Sequence, residues 1–107
     1  MIEKVRIGPI DYALEDKRGL DITDGAIGRI SHSMNVIEFD SALEAQGRMH
    51  TILHEIFHGI IRQSQLEGKF GSDEATEDAI NSMAYGILQV IRDNPDLIAE
   101  IQALWQK

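Results

Sequence analysis

His54 and His58 stand four residues apart, and Glu55 directly follows the first of them. On a helix, four residues bring two side chains onto one face, one turn apart. Two imidazoles placed that way can ligate a single ion, and zinc takes ring nitrogens at about 2.0–2.1 Å without strain. Glu55 is then within reach of the ion's open position, where it would accept a proton from an attacking water. The chain has no cysteine, so any transition metal must be held by His, Asp or Glu, and there are four histidines in all. Paired histidines on an amphipathic helix also occur as a solvated surface feature, so a third ligand is what distinguishes the two readings.

Four acids follow in the right region: Asp73, Glu74, Glu77 and Asp78. Glu77 lies far enough after His58 for a turn and the start of an antiparallel helix. It shares a helical face with Asn81, at the edge of an apolar stripe, and it is the favoured ligand. Glu74 is its rival and Asp73 a further alternative. Both also read as acids placed at a helix N-terminus by the macrodipole. Asn81, one turn after Glu77, is placed to hold the second nitrogen of a ligating histidine and so fix its tautomer. An oxyanion formed during hydrolysis needs a further donor, for which Tyr85, Tyr12 and His50 are candidates. His50 is one turn before His54 and reads more readily as a solvated surface residue. His32 reads as an exposed loop residue at a hairpin tip.

These residues need elements to carry them. Val5, Ile7, Ile10, Tyr12 and Leu14 nearly alternate with polar residues, interrupted by Gly8-Pro9, which suggests a bulge or edge position. Asp16 to Gly19 and Asp24-Gly25 read as turns. Short strands are expected over Ala26–Ser31 and Val36–Phe39, joined as a hairpin through Ser33-Met34-Asn35. After Asp40 the period changes from two to about 3.6. Ser41 with Glu44 forms a capping-box signature, and a helix is predicted from about Ala42 to Gln65, ending near Gly68. Its apolar stripe includes Met49, Ile52, Ile56, Ile60 and Ile61. Gly71-Ser72-Asp73 opens a second helix, with Ile80, Met83, Ala84, Ile87 and Ile91 on its apolar side. Asn94-Pro95 stops it and starts a third helix, Asp96 to about Trp105, expected to bury Leu97, Ile98, Ile101, Leu104 and Trp105. Strands followed by helices predict an α+β fold: a small N-terminal antiparallel sheet, then three helices.

With 107 residues, 43% of them hydrophobic, the chain suits one domain spanning 1–107 with a small core. The net charge of −8, from 10 basic and 18 acidic residues, disfavours nucleic acid and anionic membrane surfaces. No segment reaches the roughly 20 apolar residues of a membrane span. The N-terminal residues lack the apolar run of a signal peptide. A cytoplasmic protein acting on a peptide or protein substrate is the expectation.

Thr51-Ile52-Leu53-His54-Glu55-Ile56-Phe57-His58, followed by Glu77-Asp78-Ala79-Ile80-Asn81-Ser82-Met83-Ala84, resembles the gluzincin group of zinc peptidases. The likeness is greatest to the small ImmA/IrrE-type metallopeptidases of phages, prophages and their bacterial hosts. Ile80 and Met83 stand where that family's second helix has Ala and Phe, and Phe57 where it often has Gly. The resemblance implies a zincin-like core, one zinc held by His54, His58 and Glu77, and Glu55 as general base. It also implies a strand beside the active-site helix that pairs with an extended substrate, for which Gly28-Arg29-Ile30 is the place to look. Two other classes compete: a zinc-binding, proteolytically inactive interaction or adaptor module of phage type, and a metal-free adaptor in which the histidines are incidental.

Overall fold

In the computed structural model, which describes residues 2–20 and 27–106, a four-stranded sheet is followed by three helices, an α+β architecture. The strands are β1 (Lys4–Ile7), β2 (Ile10–Lys17), β3 (Gly28–Ser31) and β4 (Val36–Asp40). The helices are α1 (Ala45–Gln63), α2 (Asp73–Asp93) and α3 (Pro95–Ala103). The expected turn at Asp24-Gly25 and the start of the strand expected from Ala26 lie outside the described residues.

Gly8-Pro9 is a tight turn between β1 and β2, not a bulge, with Ile7 paired to Ile10 across it. Gly8 carries φ +57°, and a proline with its fixed negative φ follows, the Gly-first pattern of two-residue hairpin loops. Likewise β2 runs on through Asp16 to Lys17, so the turn expected from Asp16 is confined to Arg18-Gly19.

The sheet order is β1-β2-β4-β3, and it is mixed rather than wholly antiparallel. β1 and β3 are antiparallel to their neighbours, whereas the central pair β2–β4 is parallel. Asp16 and Gly28 flank Phe39 on either side, so the chain leaves β2 and begins β3 at the same end of the sheet. It then descends β3 and returns up β4 between them. Strand direction of this kind depends on where the connection crosses, which alternation along a strand does not encode.

One sheet face is apolar and lies under α1. Ile7, Tyr12 and Ile37 form its buried centre, with Val5, Leu14, Ile30 and Ile56 packed against them. The opposite face is polar, where Glu38 bridges Arg29 of β3 and Lys17 of β2. Those two cations hold the Glu38 carboxyl below its ordinary range, the Arg29 hydrogen bond contributing most. Gly59 is one of the points where α1 comes close to the sheet. A side chain there would meet Ile7 Cδ1 at 2.7 Å.

The capping box expected at Ser41 and Glu44 does not form. Asp40, at the end of β4, accepts the Ala42 amide on its carboxylate (2.9 Å) and the Leu43 amide on its carbonyl (3.2 Å). That turn uses up the backbone donors and delays the helix to Ala45, with Glu44 at the N-cap and no side-chain cap. At the other end α1 closes at Gln63, earlier than expected. Leu66 donates to the Ile61 carbonyl (2.9 Å) and Gln65 to Arg62 (3.2 Å), the Schellman pattern. The left-handed residue is Gln65 (φ +59°), so Gly68 is not the terminator. Ser72 does cap α2, accepting from the Ala75 amide at 3.0 Å.

The third helix departs most from expectation. Ile98 is half-buried, while Leu97, Ile101, Leu104 and Trp105 are exposed, and α3 ends at Ala103. Met49, Ile60, Met83, Ile87 and Ile91, expected to face a core, are exposed as well. A helical apolar stripe is about as wide as two packing partners. Here α1 is the main partner of α2, covering the edge where Ile80 and Ala84 are buried, and the rest of the stripe stays exposed. No described helix is long and apolar enough to cross a membrane.

Candidate metal centre

α1 lies across the sheet with His54 and His58 on the side facing α2, and their ring centroids are 5.0 Å apart. Glu77, one turn into α2, reaches between them. Its carboxylate oxygens lie 3.0 Å from His54 Nε2 and 2.7 Å from His58 Nε2. These three side chains are the one group of His and acidic residues among the described residues whose ligand atoms converge to metal-holding distance. Glu74, the rival third ligand, is exposed in the first turn of α2 and outside the group. Asp73 is also outside it, on the wall of a cleft beside His58.

Asn81, one turn beyond Glu77, sets the chemistry of His54. Its side-chain oxygen lies 2.8 Å from His54 Nδ1 and can only accept, so Nδ1 carries a hydrogen. In the neutral ring the Nε2 lone pair then points at Glu77. A lone pair facing a carboxylate oxygen at 3.0 Å is repulsive unless a proton or a metal ion lies between them. His58 Nε2, 2.7 Å from the other Glu77 oxygen, either donates a hydrogen to it or shares an ion with it. Two donors on a tetrahedral zinc stand about 3.3 Å apart, given bonds of about 2.0–2.1 Å. The observed 3.0 and 2.7 Å are hydrogen-bond distances shorter than this, so an ion would need Glu77 to draw back by a few tenths of an ångström; the donor set and the Asn81 bond suit zinc.

Glu55 lines a cleft whose walls include Ile27, Gly28, His50, Thr51, Glu77 and Asn81. It is 7% exposed. Burial, and next the charge of Glu77, push its carboxyl up to about 7. A carboxylate with that proton affinity is matched to proton transfer near neutral pH. Gly28 makes the burial possible, because a side chain there would meet Thr51 Cγ2 at 2.3 Å and Glu55 Oε2 at 3.4 Å. β3 thus passes directly against the helix at Glu55. Arg29 turns to Glu38 on the polar face, and Ile30 packs toward Gly59. Phe57 is half-buried.

The oxyanion candidates lie in different surroundings. Tyr85 is exposed and borders a separate groove with Met49 and Leu88; its ring stacks on His50 at 3.6 Å. His50 is not a solvated residue but is half-buried in the Glu55 cleft, with Nε2 sealed from solvent and without a partner. Burial pushes its imidazole down, the Asn81 main chain opposes this, and His54 adds to it. Tyr12 is fully buried in the sheet and bonds His32 Nδ1 at 3.2 Å. His32, expected to be exposed, is half-buried beside His58. Its imidazole is pushed down by burial first and then by Arg62, with Glu67 opposing.

Thr51 is the site residue that sequence reasoning passed over. It is buried, its Oγ1 lacks a partner, and it packs against the start of β3. Its position three residues before His54, on the same helical side as Glu55, is the signal that marks it. Scanning against protein-family models and searching curated proteins and solved structures returned no match for this chain.

Proposed function

We propose that this protein is a cytoplasmic zinc metallopeptidase in which His54, His58 and Glu77 hold the ion and Glu55 is the general base. The convergence of Glu77 on both histidine Nε2 atoms, with a buried high-affinity carboxylate at Glu55 beside them, carries the reading. The zincin-like core, inferred from the sequence resemblance, agrees with a helix bearing the histidines against an outer strand.

A zinc held there supplies a Lewis acid that acidifies water and polarises a carbonyl. The protein's own groups do the rest. Asn81 fixes the His54 tautomer so that Nε2 is available as a ligand. Glu55 takes a proton from the attacking water as its oxygen bonds the scissile carbon, and then returns that proton to the leaving amine. β3 is an outer strand of the sheet and passes beside Glu55, so on this reading an extended substrate backbone lies along it, near Gly28-Arg29-Ile30. Its partner is thus a peptide or an unfolded protein segment.

The test is digestion of a mixed peptide library by zinc-loaded protein, read by mass spectrometry. Cleavage is expected in the wild type and should fall by at least about 100-fold in Glu55→Gln, with zinc retained. Cleavage undiminished in Glu55→Gln would overturn the assignment. A wild type that holds zinc and cleaves nothing would favour the non-catalytic module.

A further inference from the structure

Two clefts flank the metal centre and share Glu77 as a wall. The first holds Glu55 and begins at Gly28. The second, of about 320 Å³, is lined by His58, His32, Glu67, Asp73 and Thr76. β3 connects them: it starts at Gly28 in the first and ends at Ser31, immediately before His32 in the second. At about 3.3 Å per residue, its four residues carry the chain roughly 13 Å from one cleft to the other. His32 therefore stands on the side of the centre opposite Glu55.

His32 is also held. The ring of the fully buried Tyr12 meets its ring edge-on at 6.3 Å, and the Tyr12 hydroxyl lies 3.2 Å from Nδ1. A buried tyrosine hydroxyl needs an acceptor for its hydrogen, and Nδ1 is in place to accept it. The hydrogen of the neutral imidazole is then on Nε2, on the side of the ring away from Tyr12. A buried aromatic from the middle of the sheet thus orients a hairpin residue as a hydrogen-bond donor beside His58.

Resting on the peptidase reading, we propose that His32 is the oxyanion donor of this site and Tyr12 its positioning residue. As water's oxygen bonds the scissile carbon, the carbonyl π pair moves onto oxygen, and His32 Nε2–H donates a hydrogen bond to that oxygen without giving up its proton. The charge is met on one side of the carbonyl while Glu55 handles protons on the other. Tyr12 acts only through His32, since its own hydroxyl is enclosed.

The test uses the full chain loaded with one equivalent of zinc and titrated with methylphosphonate, a tetrahedral oxyanion, by calorimetry. The His32 Nε2–H resonance is followed in parallel by NMR. The wild type should bind the probe and shift that resonance. His32→Ala should weaken binding about ten-fold or more, as expected for a hydrogen bond to a charged group. Tyr12→Phe should weaken it less, and His32→Gln, which keeps an N–H donor, should recover part of the loss. Zinc affinity should be the same in all four proteins. Equal probe affinity in His32→Ala, or loss of thermal stability in Tyr12→Phe and His32→Gln with affinity intact, would overturn the proposal and leave His32 as the structural partner of Tyr12. So would a zinc-loaded wild type that does not bind the probe. A wild type that takes up no zinc would instead remove the peptidase reading itself, and this proposal with it.

Discussion

The sheet with α1 and the helical pair α2–α3 are built differently, and the proposed metal site lies where they meet. In the first region Ile7, Tyr12, Ile37, Phe39 and Ile52 are buried, and strand pairing fixes their register. In the second, α2 buries only Ile80 and Ala84, while α3 buries nothing completely. Yet α2 supplies Glu77 and Asn81, two of the four side chains whose contacts define the site. The lesson is that the histidines sit on a rigid platform, whereas their partners are held by two anchor residues and by the site itself. Metal binding in such an arrangement is also a crosslink, and its free energy becomes stability of the less buried half.

The largest consequence concerns that crosslink. Zinc at about a thousand times its Kd should stabilise the fold by roughly 4 kcal/mol. Hydrogen exchange should show where: on chelation, amides of α2 should lose far more protection than those of α1 or β4. Equal loss in both regions would mean that they form one cooperative unit and that the contrast drawn here fails.

A pair of truncations sharpens the same point. Ile80 is fully buried, and Ile80→Ala should cost about 2–5 kcal/mol in denaturant unfolding. Met83, one turn on but exposed, should cost less than about 0.5 kcal/mol when replaced by alanine. A large loss at Met83 would reveal a packing partner for the open face of α2.

The third effect separates function from stability in the platform itself. Glu55 has its affinity for a proton raised from 4.5 to about 7 by burial and by Glu77. Below pH 4.5 the folded and unfolded chains both hold the proton, and nothing is lost. Between pH 4.5 and about 7 the unfolded chain ionises first, so stability falls as pH rises. Above pH 7 the buried charge costs on the order of 3 kcal/mol. In chelator, Glu55→Gln should therefore be more stable than wild type at pH 8 by up to about that amount, and the gain should vanish by pH 4.5. A gain independent of pH would show that burial of charge is not its source.

Much of this arrangement was legible in the residues. The 3.6 period between Met49 and Ile61 placed both histidines on one helix face, and the Gly71-Ser72-Asp73 start put Glu77 and Asn81 one turn apart. Those features are local, and local spacing determines them. What was not legible is relational. The parallel pairing of β2 with β4 depends on a crossover, and alternation in Val36–Phe39 fits either direction. His32 and His50 looked solvent-facing because their burial comes from Tyr12 and Tyr85, 20 and 35 residues away in the chain. The exposed apolar residues of α3 show the reverse error, since an amphipathic pattern specifies a face without supplying its partner.

The most direct test is the metal content of untagged protein after exposure to zinc at neutral pH, measured by plasma mass spectrometry alongside Glu77→Ala and Glu74→Ala. About one zinc per chain is expected in the wild type and in Glu74→Ala, with loss or marked weakening in Glu77→Ala alone. A wild type that remains metal-free, or a Glu77→Ala protein that holds zinc as tightly as the wild type, would contradict the three-ligand centre on which this account depends.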